Sequence, residues 1–184
     1  MAIKATIYKA NIHIADMDRG YYDELNLTIA RHPSETDERM MVRIFAFAMH
    51  AAEGLKFTEG IAAKEDEPDI WLKNLTGDID LWIEVGLPDE KKIKKGCNLS
   101  EKVYVYPYAG RSVQTWWKPM ASRLSKHKNL SVVALPQETT KELAKIAQRT
   151  MTLHLNVQDG QIWMGDPEKN ILVEPEAVFE GGLI

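Results

Sequence analysis

The chain has 184 residues, 45% of them hydrophobic and 27% charged, with a net charge of −4. That length can bury a full core as a single domain, 1–184, and the negative balance excludes nucleic-acid binding by bulk charge, leaving only a local basic patch for that purpose. One cysteine, Cys97, excludes an intrachain disulfide and cysteine-rich zinc sites and suits a reducing, cytoplasmic compartment.

The N-terminus MAIKATIYKA alternates and is not a signal peptide. No run approaches the ~20 apolar residues that cross a bilayer, so no membrane partner is expected. Residues 3–14 alternate as a half-exposed strand, and Tyr21–Ala30 is its hairpin partner across Asp18-Arg19-Gly20. The next stretch, RHPSETDERMMVRIFAFAMHAAEGL, is the strongest helix. Ser34 is its predicted N-cap, with Asp37 at N3 as in a capping box and Gly54 at its end. Met41, Ile44, Phe45, Ala48 and Met49 form one apolar stripe, and Glu38 stands one turn before it.

Lys56–Ala63 is read as a short strand and Lys64–Glu67 as an acidic loop. After the central hairpin, Leu87-Pro88-Asp89 opens a helix with Ile93 and Cys97 inward and lysines at 91, 92, 94 and 95. Lys102–Tyr108 is a strand. Gly110–Ser125 begins as a helix that Pro119 breaks, carrying Arg111, Gln114, Trp117 and Lys118 along one side. Asn129–Leu135 reads as a buried parallel strand, Gln137–Arg149 as a helix, and MTLHLNVQDGQIWMGD with NILVEP as a meander turned at Asp159-Gly160. The ordering predicts an α+β fold. A central mixed sheet is flanked by helices, and the N-terminal hairpin and C-terminal meander form a second, antiparallel sheet.

The central hairpin, Pro68–Val85, carries the chemistry. With a two-residue turn at Thr76-Gly77, Trp71 faces Trp82, Lys73 faces Asp80 and Asp69 faces Glu84, while Ile70, Leu72, Leu81 and Ile83 take the core face. Aromatic and opposite-charge pairs stabilise a ladder by roughly 0.2–1 kcal/mol each, whereas opposed acids destabilise it. Two acids so close coexist by sharing a proton or by binding a divalent cation. Asp80 and Glu84 also share a strand face, but four residues at ~3.3 Å separate their Cα atoms by roughly 13 Å. That makes Asp80 an outer acid or the partner of Lys73.

A helix bearing an acid, Pro68-Asp69 opening one strand, Glu84 ending the next, then a helix and a parallel strand, resembles the core of the PD-(D/E)XK nuclease superfamily. The resemblance implies Asp69 and Glu84 as Mg²⁺ ligands, Glu38 as the helix acid and Gln114 as a helix glutamine beside the site. Gly86 stands where that pattern has its lysine, so Lys94 or Lys95 is expected to supply the charge. Over nearly its whole length the chain resembles the YaeQ proteins of Gram-negative bacteria. IKATIYKA, LTIARHPSETDERMM, GDIDLWIEVGLPDEKKIKK, QTWW, NLSV and RTMTLHL carry that likeness, which implies a compact variation of the nuclease core and no settled activity.

Three readings follow; in the plainest, Asp69 bends away at the strand start and the hairpin is merely structural. Another is Mg²⁺-dependent phosphodiester hydrolysis of nucleic acid, with Arg111 or a lysine (Lys94, Lys95) on the phosphates. The third is a non-catalytic module that binds nucleic acid or protein on a degenerate nuclease frame, with Trp116, Trp117 and Tyr106 as stacking aromatics. A monomer is expected.

Overall fold

The structure is a computed structural model that describes residues 4–59 and 66–182. Its elements, in chain order, are β1 (Thr6–Asp16), β2 (Tyr21–Arg31), α1 (Asp37–Met49), β3 (Lys56–Phe57), β4 (Ile70–Lys73) and β5 (Ile79–Val85). There follow α2 (Glu90–Leu99), β6 (Ser100–Tyr106), α3 (Ser112–Trp117), α4 (Ala121–Leu124), β7 (Leu130–Ala134) and α5 (Gln137–Lys145). The chain closes with β8 (Thr150–Gln158), β9 (Gln161–Gly165), β10 (Asn170–Val173) and β11 (Glu176–Glu180). The fold is α+β with two sheets, as the sequence predicts, and the described residues form two compact units.

The first unit holds residues 4–49 and 138–174. Its five-stranded sheet has the order β10-β9-β8-β1-β2. The β1–β2 hairpin pairs from Thr6↔Arg31 to Asp16↔Tyr21, and Gly20 takes the left-handed φ of +66° that its turn requires. Alternation is strict: Ala10, Ile12, Ile14, Leu153 and Leu155 are buried, and their neighbours face outward. The Asp18 carboxylate accepts the amides of Asp159 and Gly160 at 2.8 and 2.9 Å, tying the two hairpin tips together. The expected antiparallel sheet needs one correction, because β1 and β8 run parallel. The chain leaves β2 and returns only after more than a hundred residues, and so long a crossover permits a parallel partner.

Helix α1 starts later and stops earlier than predicted. Thr36, not Ser34, is the N-cap: its hydroxyl accepts the Arg39 amide at 3.1 Å. Ser34 instead bonds His32 Nδ1 at 2.5 Å. Met40 to Ala48 are all buried, so the helix is enclosed around its whole circumference, not along one stripe. That enclosure includes Arg43, whose guanidinium is neutralised by Glu35 at 2.5 and 2.9 Å.

The second unit holds residues 50–59, 66–137 and 175–182, and its six-stranded sheet has the order β11-β7-β6-β5-β4-β3. Strands β5, β6 and β7 are parallel, and the other pairings are antiparallel. Leu81 to Val85 are all buried, so both faces of this central strand are shielded from water; the one-faced alternation read from the sequence understated this. Trp82, Ile93, Val103, Val105, Leu124 and Val132 are the heart of the core on the α2 side. Gly96 lets α2 approach closely, since a Cβ there would stand 2.9 Å from the Trp82 indole. Pro119 divides α3 from α4 as expected, and α5 ends at Lys145 instead of Arg149. Strand β11 was not foreseen. It covers the β7 edge beyond the predicted meander. Part of the predicted strand Lys56–Ala63 and of the acidic loop after it lies outside the described residues.

The β4–β5 register matches the predicted one at Ile70↔Ile83, Trp71↔Trp82 and Leu72↔Leu81, then slips so that Lys73 faces Ile79. Asn74 causes the slip. Its side-chain oxygen accepts the amides of Thr76 and Asp78 at 3.0 Å, building a longer turn than Thr76-Gly77 alone. The Lys73–Asp80 pair therefore does not form: Lys73 lies over the Trp71 ring at 3.8 Å, and Asp80 faces Asn74 Nδ2 at 3.4 Å. Among the described residues no helix is long and apolar enough to cross a membrane.

Candidate metal centre

Asp69 is fixed before its side chain does anything. Its amide donates to the Ile83 carbonyl and its carbonyl accepts the Thr58 amide, both at 3.0 Å, while the Thr58 hydroxyl donates to the Pro68 carbonyl. The Asp69 carboxylate then accepts the Val85 amide at 2.8 Å. It sits beside the end of β5, where Glu84 is 1% exposed. One Glu84 oxygen accepts the Trp82 indole N–H at 3.0 Å. The other lies 3.2 Å from Lys92 Nζ.

Lys92 reaches Glu84 because α2 is held at both ends of its first two turns. Asp89 caps it, accepting the Lys92 amide at 2.8 Å, and Gly96, one turn further on the same face, rests on Trp82. Gly86 turns the chain from β5 towards α2 at φ +94°. A lysine at that position would be strained in the left-handed region; the ammonium beside Glu84 is that of Lys92 on α2.

Burial pushes the Glu84 carboxyl up to about 8, and the Asp69 charge adds to the rise; the Lys92 charge and the hydrogen bonds from Lys92 and Trp82 oppose it. A carboxyl in that position holds a proton or takes a cation in its place. The donor set suits a hard ion: Mg²⁺ is commonly held by one or two carboxylates plus waters. Among the described residues no group of three or more His, Cys, Asp or Glu side chains is gathered to hold a metal.

Glu38 belongs to the first unit, where it accepts the Thr140 hydroxyl at 2.8 Å. Lys94 pairs with Glu90 at 2.6 Å, and Lys95 pairs with Asp66. Arg111 and Gln114 are exposed at the start of α3. Trp117 is buried in the core, and Tyr106 is buried with its hydroxyl 2.5 Å from His50 Nε2. Neither ring has a face open to a base. Trp116 is half-buried and donates to the Pro88 carbonyl at 2.7 Å. Lys92 and the Trp82 N–H are the residues that sequence reasoning passed over. The i, i+4 spacing of Lys92 and Gly96 was the available signal, since a glycine inside a helix marks the face that packs closest.

The sequence profile of the YaeQ protein family matches residues 1–175. The Uncharacterized protein YaeQ of Escherichia coli (strain K12) is 48% identical over 173 residues, covering 94% of this chain and 95% of that protein. Its counterpart in Salmonella typhi is 48% identical over 174 residues, covering 95% and 96%. The crystal structure of YaeQ protein from Xanthomonas axonopodis pv. citri superposes with a TM-score of 0.90 at 42% identity, covering 96% of this chain and 99% of that one. That of YaeQ protein from Pseudomonas syringae gives 0.89 at 32% identity, covering 95% and 96%. The chain belongs to the YaeQ family.

Proposed function

We propose that Asp69, Glu84 and Lys92 form a PD-(D/E)XK-type site that hydrolyses phosphodiester bonds of nucleic acid with a divalent cation. The observation that carries this reading is the burial of two neighbouring carboxylates at one strand end with a lysine on the second of them. Carboxylate oxygens of Asp69 and Glu84 would hold Mg²⁺, which when bound activates water and neutralises charge on a phosphate.

The protein's own groups do the positioning. The Val85 amide orients Asp69, and the Trp82 indole holds Glu84 by one oxygen so that the other faces Lys92. Lys92 keeps a positive charge beside the pair, where it can order a water and stabilise charge developing on phosphoryl oxygens. Arg111 and Gln114, exposed on the loop and helix after β6, are the contacts for the rest of the substrate. Glu38, Asp80, Lys94 and Lys95 are assigned no chemical step.

A protein-binding module without catalysis is the second reading, favoured by the pairing of Lys94 and Lys95 with acids, which leaves α2 little free positive charge for a duplex. Mn²⁺-dependent cleavage of DNA and RNA separates the two. The wild type cleaves at least one of them, and Asp69→Ala/Glu84→Ala does not. Cleavage that survives the double substitution, or wild-type protein that binds Mn²⁺ and cleaves neither, contradicts the nuclease reading.

A further inference from the structure

A second cationic feature lies in the first unit. Strand β2 ends at Arg31, opposite Thr6 at the start of β1. Arg149 directly precedes β8, whose Thr150 lies beside Lys9. The topology thus brings both arginines to one end of the five-stranded sheet, with Tyr8 between them. The Arg31 guanidinium carbon is 5.4 Å from the Tyr8 ring centroid and that of Arg149 is 5.7 Å. Arg149 straddles this residue, since its Nε–H donates to the Ile7 carbonyl at 3.1 Å and its carbonyl accepts the Lys9 amide at 2.8 Å.

Each arginine alone over a ring is an ordinary cation–π contact. Two on one ring repel each other, and the local acids do not settle the charge. Arg31 has Asp37 at 3.2 Å, whereas no acid among the described residues pairs with Arg149. The neighbouring Glu35 is already bound by Arg39 and Arg43. One carboxylate therefore serves two guanidiniums. In addition, Arg31 Nε and Asp37 Oδ1 are each sheltered from solvent without a hydrogen-bond partner, so the 3.2 Å pair does not close into a fork, although Arg31 also donates to the Glu35 carbonyl at 3.0 Å. Two buried groups left open side by side call for a partner that meets both.

We infer that Arg31 and Arg149, backed by the Tyr8 ring, bind a phosphate group. A carboxylate has two oxygens and is used up by one guanidinium fork, whereas a phosphate has oxygens enough to meet two forks. The Tyr8 ring is only 8% exposed, so it is the floor of the site and not a platform for a base. The phosphate can belong to a small molecule or to a nucleic-acid backbone; the chemistry at the arginines is the same. This inference stands apart from the cation site and does not depend on it.

The test is calorimetric titration in EDTA at low salt, with inorganic phosphate and with a single-stranded oligonucleotide lacking terminal phosphate as separate probes. The wild type binds inorganic phosphate, and Arg149→Ala weakens that binding at least tenfold. Arg149 is exposed, so this variant is expected to keep the wild-type melting temperature without phosphate; Arg149→Lys, which keeps charge and loses the fork, falls between the two. Asp69→Ala/Glu84→Ala binds phosphate like the wild type, which separates this site from the proposed cleavage site. Oligonucleotide binding whose salt slope drops by about 1 in Arg149→Ala assigns the site to a backbone phosphate. Phosphate bound without the oligonucleotide assigns it to a small molecule. Wild-type protein that binds neither probe, or Arg149→Ala that binds as well as the wild type, overturns the inference.

Discussion

Each unit buries a carboxylate, and the two are treated in opposite ways. In the first, Glu35 is met by Arg39 and Arg43 through short hydrogen bonds, so the charge leaves water with its counter-charge attached. In the second, Glu84 is buried beside another acid, and Lys92 only partly offsets them; its carboxyl is pushed up to about 8 by that burial and by Asp69. Burial of a charge therefore does not by itself mark a functional site. Its sign balance separates the two: Glu35 is paired with two arginines, whereas Glu84 has an acid beside it as well as Lys92.

The contrast can be broken from either side. Removing the counter-charge in the first unit gives the largest effect. Arg43→Met leaves Glu35 buried with Arg39 as its remaining side-chain partner among the pairs described, and is expected to cost about 3 kcal/mol in a urea denaturation. Gly96→Ala tests whether the close approach of α2 to Trp82 sets the geometry of the second cluster. The new methyl group meets the indole ring, costing about 1–3 kcal/mol and loosening Lys92 from Glu84.

Glu84→Gln removes the conflict itself while keeping an acceptor for the Trp82 indole. It is expected to stabilise the metal-free protein by roughly 1 kcal/mol at pH 8 while abolishing Mn²⁺ binding. The pH dependence follows from the direction of the shift. The native state keeps a Glu84 proton that the unfolded chain gives up near the ordinary 4.5. The corresponding stability is full below about 4.5 and lost by about 8. Denaturation in EDTA across that window should show this decline in the wild type and not in Glu84→Gln. The smallest effect is a control on burial without charge. Burial pushes the Cys97 thiol up to about 11, so it should react with a thiol reagent only as fast as the protein opens.

Most of the architecture was legible because it rests on periodicity. The alternation of β1, β2 and β8, the apolar run of β7 and the break at Pro119 each follow from local chemistry, and so did the pairing of Trp71 with Trp82. What was not legible depended on interactions between distant or competing groups. Thr36 outcompeted Ser34 as a cap because His32 engages Ser34. Asn74 lengthened the turn and cost Lys73 its expected partner. The parallel pairing of β1 with β8 is a long-range choice that no window of sequence contains. At the site, Asp69 and Glu84 were visible as an unfavourable pair in an otherwise favourable ladder. Lys92 was hidden among four lysines, because only the packing of Gly96 on Trp82 decides which of them turns inward.

The most direct test of the cation site is Mn²⁺ calorimetry at pH 7 in two buffers of different ionisation heat. The account predicts one site in the wild type, with about one proton released as the ion displaces it from Glu84. Asp69→Ala/Glu84→Ala should give no binding heat. Wild-type protein with no Mn²⁺ site, or a site that persists in the double variant, would contradict it.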